Sequence, residues 1–390
     1  MSDLIVLNED QLLAVKRAKE ERLSVISGGA GTGKTTLIKE VAKACPGALL
    51  GAPTGKAAAR LREATGMDSA TIHRLLGWNG SSFQVKNLSR PVIIDEASMV
   101  EASLLAALVR CNPPKLVLIG DNYQLFPVGA GAPFHDLFDL RPDLRTHLKI
   151  CYRSSAAVCQ AGNSIRNGDW PGDNQASGGE TFKFIPCAGA EAAHKIALDL
   201  ASASDWEPSK DVLISPTNGA MDAEGEATKA TVLGLNDDLK DILNQCERTS
   251  KFMDGDRIIC GKNFSESDVW NGTTGTVTGV DNDGRLWVET DMPTMNGSQV
   301  LFKKEMVKAS AHAWALTIHK SQGSQYRKVV ITILNRDQLM MTRQLLYTAV
   351  TRAQKECVII GERYAVNKAL ASLNQRNTIM RLMSQRERST

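Results

Sequence analysis

The stretch Arg22–Leu37, RLSVISGGAGTGKTTL, reads as a buried strand (Leu23, Val25, Ile26), a glycine-rich loop and the start of a helix at Lys34. Gly28–Thr35 satisfies the pattern G-x-x-x-x-G-K-[ST] at every required position. Glycine permits the tight backbone that turns successive N–H groups toward phosphate oxygens, here those of Gly29, Ala30, Gly31, Thr32 and Gly33. The following helix adds its positive N-terminal end, with Thr36 in its first turn. Lys34 would reach the β- and γ-phosphates, and the Thr35 hydroxyl would ligate Mg²⁺. The alternative is a glycine-rich turn with a chance Lys-Thr, which the flanking strand and helix disfavour. The motif implies a bound nucleoside triphosphate.

At 390 residues the chain is too long for one ordinary core, so two principal domains with small insertions are expected. Hydrophobic residues at 43% and charged residues at 23% describe an ordinary soluble globular composition. A net charge of +3 decides nothing globally, so any nucleic-acid surface has to come from local patches. Eight cysteines, scattered from Cys45 to Cys357 without CxxC spacing, argue against a zinc site or disulfide framework and fit a reducing compartment. No apolar run approaches membrane-spanning length, so a cytoplasmic protein with no membrane partner is expected.

Along the chain, NEDQLLAVKRAKE (8–20) reads as a capped amphipathic helix with Asn8 as N-cap and Leu12, Leu13 and Val15 as its apolar stripe. Gln11, taken locally, is a solvated helix residue. ALLGAPTGKAAARL (48–61) reads as strand, turn and helix. Its Pro53, Thr54 and Lys56 suit a nucleic-acid phosphate, although an ordinary strand-to-helix connection explains them equally well. After TIHRLLGW (71–78), NGSSFQVKNLSR (79–90) reads as a short projecting β-hairpin, with Phe83 either an exposed wedge or folded back onto the body. PVIIDEASMV (91–100) is a short apolar strand delivering Asp95 and Glu96 at its end, where an α/β sheet places its chemistry. Asp95 would hold Mg²⁺, and Glu96 would orient or deprotonate an attacking water. KLVLIGDNYQLFPVGAG (115–131) repeats the device, with Gln124 placed to sense the γ-phosphate or the water. RTHLKICYRSS (145–155) leads out of the first domain, and Arg153 alone reads as a surface ion pair. Short β-branched runs separated by turns over 254–308, including Asn282-Asp283-Gly284, read as a small antiparallel barrel. The βαβ order on both sides of it implies α/β domains with mostly parallel sheets.

The order of these pieces resembles the RecD/Dda-like branch of superfamily 1 DNA helicases, superfamily 1B, over nearly the whole chain. LNEDQ places Gln11 as the family's adenine-reading glutamine. GGAGTGKTT matches its phosphate motif, and VIIDEASM and LIGDNYQLFPVG match its Mg²⁺ and γ-phosphate motifs. APTGKAAARL and TIHRLLG match motifs that touch single-stranded DNA, through Pro53, Thr54, Lys56 and His73. CYRS and LLYTAVTRA place Arg153 and Arg352 as arginine fingers. LTIHKSQGSQY supplies Thr317, His319, Lys320 and Ser321 toward DNA, and Gly323 toward the nucleotide. Phe126 stands where relatives often have proline, and Gln325 where they usually have a ribose-contacting glutamate.

The resemblance implies two RecA-like parallel-sheet domains, 1–145 and 146–253 with 309–390. A β-hairpin pin carrying Phe83 is implied at 78–90, and an SH3-like barrel at 254–308. It further implies ATP and Mg²⁺ as cofactors, single-stranded DNA and single/double-strand junctions as partners, replication or recombination proteins as further ones, and 5′→3′ unwinding. The alternatives are a single-strand translocase that displaces proteins without parting the duplex, a P-loop kinase, and a DNA-binding scaffold with dead ATPase chemistry.

Overall fold

The computed structural model describes residues 6–152, 156–221, 226–244, 250–294, 297–373, 376, 378–381 and 384. The chain divides into two compact units, Met1–Ser154 with Gln375–Thr390, and Ser155–Asn374.

The first unit begins with helix α1 (Glu9–Glu20), then strand β1 (Leu23–Gly28), α2 (Lys34–Ala44), β2 (Leu49–Ala52), α3 (Gly55–Thr65), β3 (Ser69–Thr71) and α4 (Ile72–Leu75). It continues with β4 (Val92–Ile94), α5 (Ala102–Arg110), β5 (Leu116–Gly120), α6 (Pro133–Leu140) and β6 (Arg145–Leu148). The strands form one parallel sheet in the order β3-β2-β4-β5-β1-β6. Consecutive residues of its central strands feed opposite cores. Val25, Ile94 and Leu118 pack with Phe134 and Leu108 on one face, while Ile26, Ile93 and Val117 pack with Leu37, Val41 and Leu61 on the other. Burial on both faces is why these strands read as unbroken apolar runs. Val92, Ile93 and Ile94 are each 0% exposed, and together contribute on the order of 5–9 kcal/mol of burial. That burial fixes where the chain emerges at Asp95.

Three expectations need correction here. The helix α1 has the expected Asn8 cap, completed as a capping box by Gln11, but it buries Gln11, Ala14 and Ala18. Leu12 and Leu13 are 55% and 43% exposed. Small side chains let α1 lie close, and the leucines face outward. Second, β6 pairs with β1 and Leu148 joins the core beside Ile26, so the first unit extends beyond residue 145. The terminal residues from 375 also group with it, through contacts of Arg376 and Arg381 described below. Third, residues 79–90 contain no two-stranded ribbon. A single Trp78–Phe83 bridge closes a turn whose Asn79 carboxamide accepts the Ser81 and Ser82 N–H groups. Phe83 is half-buried and packs with Val85 against the core, folded back onto the body.

The second unit runs α7 (Ala157–Asn167), β7 (Asn174–Ser177), β8 (Glu180–Pro186), α8 (Gly189–Ala201), β9 (Asp211–Ser215) and α9 (Val232–Leu243). An inserted segment follows, with β10 (Arg257–Cys260), β11 (Thr274–Val280), β12 (Leu286–Thr294), β13 (Gly297–Phe302), α10 (Lys304–Lys308) and β14 (Ser310–His312). Then come β15 (Ala315–Thr317), β16 (Tyr326–Ile333), α11 (Arg343–Val350), β17 (Ala353–Gly361) and α12 (Arg363–Ala371). The main sheet, β15-β9-β16-β17-β8-β7, is parallel except for β7. β7 lies in a stretch rich in glycine and polar residues, 167–181, and pairs antiparallel with β8. The insertion is a five-stranded antiparallel sheet, β13-β12-β11-β10-β14, with its own core around Ile258, Val277, Val288 and Phe302. Its β11–β12 hairpin turns where Asn282-Asp283-Gly284 demanded, and its fifth strand lies beyond residue 308.

At the end of β17, a Cβ on Gly361 would lie 2.1 Å from the Ile333 carbonyl oxygen of the paired strand β16. Backbone cannot move aside there without opening the sheet. Gly361→Ala is expected to destabilise the protein by about 2–3 kcal/mol, read as a lower urea midpoint at unchanged slope.

Candidate functional site

The register Ser27–Gly120 between β1 and β5, and Ile94–Leu118 between β4 and β5, brings three neighbouring parallel strands to one carboxyl edge. The loops carrying Lys34, Asp95 with Glu96, and Gln124 therefore leave the sheet side by side, with β1 and β4 about 10 Å apart across β5. Below them the Ser27 hydroxyl donates to Asn122 Oδ1 (2.7 Å) and accepts the Asn122 N–H (3.0 Å), tying the first loop to the third.

The glycine-rich loop needs its glycines for two reasons. Gly31 and Gly33 both have φ +77°, which side chains rarely adopt, and a Cβ on Gly28 would lie 2.4 Å from Thr32 Oγ1. The Thr32 hydroxyl donates to the Gly29 carbonyl (2.9 Å). Lys34 Nζ donates to the carbonyls of Gly28 (2.6 Å) and Gly29 (3.0 Å), curled back over the loop. Gly33 caps α2 without a side-chain bond, so the helix presents its first N–H groups. Thr35 is exposed beside them, with Thr36 half-buried behind.

Asp95 leaves β4 half-buried, and its carboxylate accepts the Glu96 N–H at 2.8 Å. Burial, with the neighbouring Glu96 carboxylate, pushes Asp95 up to about 6 against the pull of that hydrogen bond, Lys34 and Arg60. Glu96 is held in the left-handed region (φ 50°, ψ 38°), a conformation that costs a non-glycine residue about 1–3 kcal/mol and is kept where geometry matters. Its Oε2 and Gln124 Oε1 are buried without a hydrogen-bond partner among the described residues. Two orphaned acceptors on adjacent loops are what a water, with its two O–H donors, would satisfy. Among the described residues no cluster of three His, Cys, Asp or Glu forms a metal cage. Thr35 and Asp95 are hard oxygen donors, fitting Mg²⁺ that shares its shell with phosphate oxygens.

Gln11 is not solvated: it is 2% exposed, and its Nε2 points at the Thr32 carbonyl (3.4 Å). Its Oε1 accepts from Tyr152 Oη (2.9 Å), whose hydroxyl in turn accepts from Asn8 Nδ2 (2.8 Å). The Tyr152 ring is 54% exposed and flanks Gly33, 3.5 Å from where a Cβ would sit. Sequence reading missed Tyr152. Its signal was an exposed aromatic between β6 and Arg153, legible only once the chain is seen to double back to the loop through the Tyr152 N–H bond to Gly31 (3.0 Å).

Among the residues expected to meet nucleic acid, Thr54 caps α3 through the Ala57 N–H (3.2 Å), with Pro53 and Lys56 half-buried beside it. His73 is exposed and clusters with Trp78, edge-on at 6.0 Å between ring centres, and with Phe83, tilted at 5.7 Å. Trp78, 44% exposed, was also missed. An aromatic face of this kind suits a nucleobase. In the second unit, Thr317, His319 and Lys320 line the turn after β15, with His319 and Lys320 exposed. Ser321 is fully buried, and its hydroxyl donates to the Ile318 carbonyl (2.7 Å). Gly323 is buried in the same turn with φ +73°. Arg352 is 3% exposed, and its guanidinium donates to the Thr348 (3.0 Å) and Ser324 (3.1 Å) carbonyls. Arg153 lies outside the described residues.

A family model described as an AAA domain matches residues 6–180, and one for the UvrD-like helicase C-terminal domain matches 312–360. The chain is 31% identical to the ATP-dependent RecD2 DNA helicase of Deinococcus radiodurans, across 96% of this chain and 52% of that protein. It is 30% identical to the RecBCD enzyme subunit RecD of Mycolicibacterium smegmatis, across 96% of this chain and 74% of that protein. The chain thus spans about half the length of the first relative and three quarters of the second. The solved structure of a Bacteroides Pif1 helicase in complex with ADP-AlF3 and ssDNA shares the fold, with a TM-score of 0.57 at 19% identity over 99% of this chain and 97% of that one.

Tyr152→Phe is expected to weaken adenine-nucleotide binding about two- to tenfold by removing one hydrogen bond to Gln11, and Tyr152→Ala to weaken it further. Titration with a fluorescent adenine nucleotide checks this; unchanged affinity in both variants removes Tyr152 from the pocket.

Proposed function

The chain belongs to the RecD/Pif1/Dda-like helicases of superfamily 1B, and from that membership we propose that it is an ATP-driven DNA helicase moving 5′→3′ on single-stranded DNA and parting duplex strands. The observation that carries the reading is the pair of buried acceptors Glu96 Oε2 and Gln124 Oε1, without partners among the described residues, on neighbouring loops at the same sheet edge as the loop leading to Lys34. That arrangement suits a water poised against a γ-phosphate.

In this proposal the backbone N–H groups of residues 29–33 and the ammonium of Lys34 hold the phosphates, the lysine exchanging its two loop carbonyls for phosphate oxygens. Gln11 and Tyr152 hold the base. Thr35 and Asp95 would hold Mg²⁺, which when bound neutralises charge on the β- and γ-oxygens. Glu96 takes a proton from the attacking water, and Gln124 orients that water through its carboxamide. Arg153 and Arg352 supply the positive charge that a loose phosphoryl transition state needs. For Arg352 this means leaving the carbonyls of Thr348 and Ser324. Thr54, Lys56, His73 and Trp78 of the first unit, and Thr317, His319 and Lys320 of the second, grip a DNA strand, chiefly through phosphates and stacked bases. Alternating grip between ATP-bound and hydrolysed states would turn hydrolysis into stepping. The inserted antiparallel sheet is assigned as the SH3-like module of the family.

A second reading, a single-strand translocase that displaces proteins without parting a duplex, is favoured by one feature. Residues 79–90 form a tight turn with Phe83 folded back, in place of a projecting pin.

Arg153→Ala and Arg352→Ala are each expected to lower DNA-stimulated ATP turnover about 100-fold or more while sparing nucleotide binding. A steady-state ATPase assay showing wild-type rates in either variant contradicts its assigned role. Unwinding of a 5′-tailed fork, set beside translocation on single strands, separates the two readings. Under the helicase reading Phe83→Ala lowers unwinding more than translocation, and equal loss of both assigns Phe83 to packing.

A further inference from the structure

The loop that carries Gln124, residues 121–131, has little regular structure of its own to hold it. Gln124 is fixed through its main chain by a long bond from its N–H to the Asp121 carbonyl (3.2 Å) and by His135 Nε2 against its carbonyl (3.4 Å). Farther along, the Ala130 carbonyl accepts the Ala102 N–H at the start of α5 (2.9 Å). Gly129 packs so close to Glu101 that a Cβ there would lie 1.5 Å from its carboxylate oxygen. On its other side, the carbonyls of Pro127 (3.0 Å), Gly129 (2.7 Å) and Gly131 (2.7 Å) converge on a single guanidinium nitrogen, Nη1 of Arg376. Two N–H groups serve three acceptors, so one bond is shared. Arg376 lies five residues beyond α12 (Arg363–Ala371), far from this loop in sequence.

We propose that Arg376, on an arm from the carboxy-terminal end of the chain, is a positioning residue that sets the place of Gln124 in the hydrolytic site. The coupling is a chain of contacts. The Arg376 guanidinium lies 5.7 Å from the Phe126 ring centre, and Phe126 meets the His135 ring edge-on at 4.6 Å. His135 in turn bonds the Gln124 carbonyl. Burial lowers His135 to about 4, so the ring is neutral near neutral pH and does not repel the arginines of the arm. A second anchor lies five residues on. Arg381 Nε donates to Asp136 Oδ1 (2.8 Å), a carboxylate on α6 that is 1% exposed, and its Nη2 bonds Asp139. The two anchors differ in kind. Arg381 offsets a buried charge and so acts on stability, whereas Arg376 holds only carbonyls of the loop and so acts on its placement.

The inference rests on the reading of Gln124 given under Proposed function, and the test separates the two. In the full-length chain, Arg376→Ala, Arg376→Lys and Arg381→Ala are assayed for ATP turnover with and without single-stranded DNA, for KM, for binding of a fluorescent ATP analogue, and for Tm. Arg376→Ala is expected to lower kcat on the order of 10- to 100-fold, with KM, analogue affinity and Tm close to wild type, because the loop is misplaced and the phosphate loop is not. Arg376→Lys, which keeps a cation and three donors, is expected to recover part of kcat. Arg381→Ala is expected chiefly to lower Tm. If Arg376→Ala turns over like the wild type, or loses turnover only in step with Tm or analogue binding, the arm is a brace and the proposal fails. A wild-type protein without DNA-stimulated hydrolysis overturns the functional reading itself, and the arm's role with it.

Discussion

Three parallel strands that finish level are the constraint on which the first unit depends. A lysine, two acids and a glutamine that lie up to 90 residues apart in sequence can be brought to one place only if β1, β4 and β5 end at one edge. Hydrogen-bond register sets that edge, and the two apolar cores hold the register, since a one-residue slip would turn Val25, Ile93 and Val117 each to the wrong face. Burial of strands with no chemistry of their own is therefore what aligns the groups that have it. The Ser27–Asn122 pair adds a polar stitch between the first and third of these loops.

Where the sequence spoke clearly, the signal was local. The glycine-rich loop, the Asn8 cap, the acids closing a β-branched run and the 282–284 turn each draw their meaning from neighbours within a few residues. What could not be read locally depended on distant partners. Gln11 looks like a solvated helix residue until Tyr152, 141 positions away, takes its carbonyl. Phe83 gave no sign whether it would project or fold back, because the choice lies with His73 and Trp78 across the turn. Ser321 matched a DNA-contacting pattern, but its hydroxyl turned inward to close its own turn. The attachment of residues from 376 onward to the first unit had no local signature at all. An arginine near a chain end reads as solvated until three carbonyls are found around it.

Buried polar atoms without partners among the described residues occur in both units, Arg257 Nε and Thr348 Oγ1 among them, so it is the placement of such an atom and not its mere presence that points to chemistry. In the second unit Arg352 is bonded to main-chain carbonyls, and in the inserted sheet Arg257 meets Asp291 in a bidentate pair (2.6 Å for each bond). In the loops at the carboxyl edge of the first sheet, Glu96 and Gln124 keep two buried oxygens, both acceptors, without partners among the described residues and side by side on neighbouring loops. Burying an acceptor unpaired costs about 1–3 kcal/mol, so a fold that tolerates two on adjoining loops keeps them for something that arrives later.

The left-handed backbone at Glu96 has an implication for anyone seeking a hardier form of this protein. Glycine at that position would relax the main chain and lose the carboxylate in one step. Under the role proposed for Glu96, thermotolerance and turnover are opposed at a single codon. A library screened only for survival after heating would enrich chains that have given up this carboxylate, so selection there has to score the proposed activity as well.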